Sequence, residues 1–156
     1  SGGGYPIVVA EGGGVDQLPA GLLAQSPAYA AWMGGYYDGT DTLWQSFTVP
    51  ASATALEIAG YALIGTEETG TFVYDSLRMT LRDASGLELQ LLGDFDGDGY
   101  TFTNLDFVDV WTPFAFASAT PLAGRNLQIH MQGSFDFSFN TNFFFDTFAV
   151  RATVCE

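Results

Sequence analysis

Apolar and polar positions alternate with a period of two along most of this chain. Between Phe72 and Asp83, Val73, Leu77, Met79 and Leu81 share one face while Arg78, Thr80 and Arg82 share the other, the pattern of a strand with one side buried. Just beyond, Leu87, Leu89 and Leu91 alternate with Glu88 and Gln90, and Ala84-Ser85-Gly86 joins the two runs as a hairpin. Further strands are expected over 28–33, 43–49, 55–64, 110–116, 126–132 and 142–154. Residues 17–25 hold the one candidate helical stretch, which Gly21 weakens. Short strands broken by Gly, Pro, Asp and Ser turns predict an all-β, antiparallel jelly-roll β-sandwich of about eight or nine strands.

The amino-terminal stretch breaks this rhythm. Gly2 to Gly4 and Gly12 to Gly14 flank an apolar run in which Tyr5, Ile7 and Val9 fall on one face and Pro6, Val8 and Ala10 on the other. Neither face suits water, so burial on both sides is expected. Glycine pre-shapes nothing and loses the most freedom on folding, which suits a segment that travels before it docks. The chain therefore divides into a glycine-hinged strand segment, 1–14, and a sandwich, 15–156. The leading expectation is a non-catalytic extracellular structural subunit. Its residues 5–10, above all Tyr5, Ile7, Val8 and Val9, insert into the sheet of a neighbouring copy, with Gly12, Gly13 and Gly14 as the hinge, and repetition builds a fibre or surface layer.

Composition narrows the partners. Eighteen acidic residues against four basic ones give a net charge of −14, which repels a phosphate backbone or an anionic bilayer. Nucleic acid and lipid headgroups are therefore poor partners, and with no apolar run long enough to span a bilayer membrane insertion is not expected, leaving copies of the chain itself or a polysaccharide. All four basic residues are arginines, so no lysine offers Schiff-base chemistry. Cys155 is the single cysteine, which rules out an internal disulfide or a thiolate cluster and leaves a free thiol or a bridge to another chain. His130, the single histidine, lies on the outward face of its strand. With no Gly-x-Ser-x-Gly elbow and no spacing that selects a carboxylate pair, an enzyme is not expected.

In order along the chain, AYAAWMGG, TLWQSFTVP, YDSLRMTLRDASG, the tryptophan of VWTPF, LAGRNLQIHMQG and NFFFDTFAVRATV resemble secreted bacterial jelly-roll modules, similar in outline to carbohydrate-binding modules and MAM-type domains. The resemblance covers residues 28–154 and rests most on the Asp-x-Leu strand at Asp75 to Leu77 and the last strand, 142–154, with its Phe-Phe-x-Asp motif. IVVAEGGG departs from the Asn-Gly-x-Phe-Glu-like first strand of such modules. The resemblance implies a jelly roll, a secreted or cell-surface location and an alternative function, a calcium-stabilised carbohydrate-binding or adhesion module.

Candidate sites follow from side chains that contradict their surroundings. Asp75 shares a register with Val73, Leu77 and Met79, and Asp146 with Phe144, Phe148, Val150, Ala152 and Val154. A carboxylate turned inward needs a cation or several N–H donors. Either Ca²⁺ or backbone amides from an adjoining loop meet that need. Asp94, Asp96 and Asp98, followed by Gly99, reproduce the first half of an EF-hand loop, but Leu105 stands where its closing glutamate belongs and Asp106 comes one residue late. A calcium-binding turn closed by Asp106 or Asp109, or a solvated acidic turn, both fit. Trp44 points outward with Ser46 and Thr48 if Leu43, Phe47 and Val49 face the core, and Tyr36 and Tyr37 sit in the loop GGYYDGTD. These aromatics are the candidates for stacking on a sugar. Phe135, Phe137 and Phe139 are expected to continue the core stripe of Ile129 and Met131.

Overall fold

Where the sequence alternates, the computed structural model has strands; it describes residues 8–14, 17–91, 101–118 and 122–155. In chain order these are β1 (Val8–Ala10), β2 (Tyr29–Gly34), β3 (Gly39–Thr48), β4 (Ala53–Thr66), β5 (Ser76–Asp83), β6 (Glu88–Leu91), β7 (Thr101–Thr103), β8 (Thr112–Ala117), β9 (Asn126–Phe135) and β10 (Thr141–Val154). Sheet A runs β1-β2-β10-β4-β8, and sheet B runs β3-β9-β5 with β6 and β7 both paired to the far edge of β5. Pairing is antiparallel throughout both sheets. From β2 to β5, and again from β7 to β10, successive strands alternate between the sheets, which is the connectivity of a jelly roll. Ten strands exceed the expected eight or nine because β7 spans only three residues, too few for alternation to register.

The inward faces meet in a core of Met33, Ile58, Ile64, Leu77, Met79, Phe102, Phe143 and their neighbours. A second, smaller cluster of Val9, Leu18, Ala30, Leu63 and Phe144 lies on the outer side of sheet A. Residues 17–25, the candidate helical stretch, cover this cluster with Leu18, Leu22 and Ala24 and contain no helix.

Two expectations are corrected here. First, Val8, Val9 and Ala10 pair with Ala31, Ala30 and Tyr29 of their own chain, and Val9 is buried in the second cluster. Gly12 to Gly14 form a tight turn in place of an outward hinge: the Gly13 N–H donates to the Leu18 carbonyl (3.0 Å), and the Gly14 N–H to Gln17 Oε1 (2.9 Å). Gly13 has φ +70, and a Cβ there would stand 2.9 Å from Ala20 Cα, so glycine is required by the turn itself. Tyr5 and Ile7 lie outside the described residues. Second, Asp146 does not face the space between the sheets. The β10 register shifts between Asp146 and Ala149, with Thr147 at φ 51, so a bulge reverses the alternation. Phe148, Val150 and Ala152 pack on the main core, while Asp146 shares the outer side with Phe144.

Candidate functional site

The outer face of sheet B is built by strand register. Trp44 of β3 stands opposite His130 of β9, which stands opposite Thr80 of β5; Thr42, Gln132 and Arg78 form the row on one side, and Ser46, Gln128 and Arg82 the row on the other. One tryptophan, 58% exposed, thus borders a field of amide, hydroxyl and guanidinium groups. The Arg82 Nε donates to Thr80 Oγ1 (3.1 Å), and Arg78 pairs with Glu88 (2.7 Å), which holds both guanidinium groups against the sheet. Trp44 also lines an apolar cleft of about 250 Å³ shared with Val8, Leu43, Met131 and Phe145, where the edges of the two sheets part.

His130 Nδ1 is buried without a partner among the described residues. Burial, with the nearby Arg82 charge, pulls the His130 pKa below its usual value of 6.5. The folded protein then takes up this proton at lower pH than the unfolded chain, so the associated stability is full above about pH 6.5 and is lost as pH falls through the folded pKa. His130→Gln is expected to flatten that acid-side loss in urea melts. Identical pH profiles for the two proteins would refute it.

A second constellation forms where β4, β5 and β9 end together. Glu68 follows β4, Asp75 precedes β5 and Asp136 follows β9, and each offers a carboxylate oxygen within 4.8 Å of the other two. These groups can hold a metal ion. Asp75 is 0% exposed; its Oδ1 accepts the Asp136 N–H (2.7 Å), and its Oδ2 has no partner. Asn104 fixes the approach by accepting the N–H groups of Tyr74 (2.9 Å) and Asp75 (3.3 Å) and donating to the Phe72 carbonyl (3.1 Å). The Ser138 N–H and hydroxyl donate to Asp136 Oδ1, both at 2.8 Å. Burial, then the charges of Asp136 and Asp75, push the Glu68 carboxyl pKa up.

Among the other predicted residues, Asp146 accepts the N–H and hydroxyl of Ser26 (2.8 and 2.7 Å), and Asp106 accepts the N–H and hydroxyl of Thr103 (2.8 and 2.7 Å). Neither joins the carboxylate cluster. Asp94, Asp96 and Asp98 lie outside the described residues. Tyr36 is half-buried, edge-on to Phe135 at 5.3 Å, with its pKa raised by burial and by Asp41; Tyr37 is exposed. The core stripe of β9 ends at Phe135, and Phe137 and Phe139 are exposed, contrary to expectation. Glu68 and Asp136 carry no local signal in the sequence, since each is an ordinary acidic loop residue until the strand ends bring them to Asp75.

No protein-family model matches the chain, and no curated protein sequence matches it. Among solved structures, the fold is similar to the enzymatically active domain of bacteriophage CBA120 tailspike protein 4 (TM-score 0.51, 8% identity, 81% of this chain). This chain spans only 16% of that protein. A further structure is the CBM22-1 xylan-binding domain from Paenibacillus barcinonensis (TM-score 0.47, 18% identity, 96% of this chain and 87% of the other). Another is from carbohydrate-binding modules of the β-sandwich superfamily (TM-score 0.47, 12% identity, 93% and 52%).

Proposed function

We propose that this chain is a non-catalytic polysaccharide-binding module of a secreted or cell-surface protein, with the outer face of sheet B as its binding surface. The observation that carries this reading is the exposed Trp44 beside the in-register rows of Thr42, Gln132 and Arg78 and of Ser46, Gln128 and Arg82. Sugar rings present apolar C–H faces that stack on an indole and hydroxyls that exchange hydrogen bonds with amide and guanidinium groups. The net charge of −14 favours a neutral or basic polymer over an anionic one. The one group of three clustered carboxylates among the described residues includes the fully buried Asp75, which a substrate could not reach.

Affinity electrophoresis against a panel of soluble xylans, glucans, mannans and chitosan tests the reading. At least one polymer is expected to retard the protein. Trp44→Ala is expected to weaken that binding about tenfold or more, as loss of a central aromatic anchor does, with an unchanged melting temperature because the side chain is exposed. Equal retardation of the two proteins, or none by any polymer, would overturn it.

A further inference from the structure

We infer that Glu68, Asp75 and Asp136 form a Ca²⁺ site that ties together the loops at one end of the sandwich. The acidic grouping alone would not carry this; the decisive observation is Asp75 Oδ2, an oxygen of a 0% exposed side chain that has no hydrogen-bond partner and belongs to a group whose neighbours are two more carboxylates. A buried carboxylate with one hydrogen-bonded and one unpartnered oxygen, set beside like charges, is costly unless a cation sits there. No arginine serves: Arg78 pairs with Glu88, Arg151 with Glu57, Arg82 donates to Thr80, and Arg125 lies near Asp83. The chain has no lysine.

The donor chemistry selects the ion. Three carboxylates and no nitrogen or sulfur ligand favour a hard cation. The oxygens lie no farther apart than 4.8 Å, about twice a Ca–O distance of ~2.4 Å. They come from two loops, Glu68 and Asp75 from the β4–β5 connection and Asp136 from the β9–β10 connection, and an assembly of that kind suits the variable coordination of Ca²⁺ better than the rigid octahedron of Mg²⁺. The same loops carry Phe72, Tyr74, Phe137 and Phe139, all exposed, with Phe137 at 82%. A bound ion would therefore order chain that contributes little to the core. This site stands whether or not the sheet B face binds sugar.

The test uses the whole chain, stripped with EDTA and returned to chelator-free buffer, then compared in CaCl₂ and in MgCl₂. Calcium is expected to raise the melting temperature by several degrees and to slow chymotryptic cleavage after Phe72, Tyr74, Phe137 and Phe139. Glu68→Gln and Asp136→Asn are each expected to weaken calcium binding, read by calorimetry, by roughly tenfold or more. These two half-buried positions are used because Asp75→Asn risks misfolding. An Asp94→Asn, Asp96→Asn, Asp98→Asn triple variant is expected to keep the loop protection. Unchanged melting and cleavage in calcium, or protection that survives Glu68→Gln combined with Asp136→Asn, would overturn the site. Equal protection by magnesium would overturn the choice of ion.

Discussion

Phe102→Ala is expected to lower the unfolding free energy by about 3–5 kcal/mol, the range for deleting a buried aromatic ring. Phe102 is fully buried although β7 is only three residues long. Its ring meets Phe107, Phe114, Phe116 and Phe145 in edge-to-face contacts at 5.8, 5.5, 6.2 and 5.3 Å. It therefore links β8 and β10 of sheet A to β5 of sheet B, where it pairs with Leu77. Alanine leaves a cavity that four aromatic rings, anchored on β8, on β10 and in the β7–β8 loop, cannot close. Phe102→Leu keeps most of the volume and is expected to cost clearly less. Urea midpoints at constant slope measure both. A loss below about 1 kcal/mol for Phe102→Ala would mean that this residue does not bridge the sheets, since surface changes rarely exceed about 0.5 kcal/mol.

Val9→Asp is expected to cost several kcal/mol, whereas Val8→Asp next to it should stay within about 0.5 kcal/mol. The difference is one of register. Val9 lies opposite Ala30 and is buried with Leu18, Leu63 and Phe144, while Val8 is exposed on the other face of the edge strand. The cluster around Val9 is apolar, so the new carboxylate is desolvated without a partner. The same measurement addresses strand exchange. A strand supplied by its own chain makes the midpoint independent of protein concentration, whereas one supplied by a second copy makes it rise with concentration. The turn at Gly12 to Gly14 and the pairing to β2 lead to the first result. A concentration-dependent midpoint would restore the exchanged strand.

Much of the strand content was legible because it depends on nearest neighbours along the chain. Alternation at residues 76–83 and 126–132 marks an inside and an outside whatever the rest of the molecule does, and Leu77, Met79, Ile129 and Met131 all face the core, whereas residues 72–75 precede β5 and Val73, expected inside, is exposed. The same local physics placed Trp44 outward. Composition, through its charge and its lack of lysine, limited the partners without reference to any fold.

Tertiary structure alone decided three things. The side of the sheet that Asp146 occupies depends on a bulge at Thr147 that changes parity inside an unbroken apolar run, and a periodic pattern cannot register one extra residue. The destination of residues 8–10 depends on which edge is open: glycines permit a turn or a hinge equally, and the unpaired edge of β2 together with the cover supplied by Leu18 selects the turn. Glu68, Asp75 and Asp136 become a site only because β4, β5 and β9 end together. Loop carboxylates are each well solvated alone, and only the arrival of Asp136 from the β9–β10 loop beside Glu68 and Asp75 of the β4–β5 loop, around one buried oxygen, makes a cation necessary.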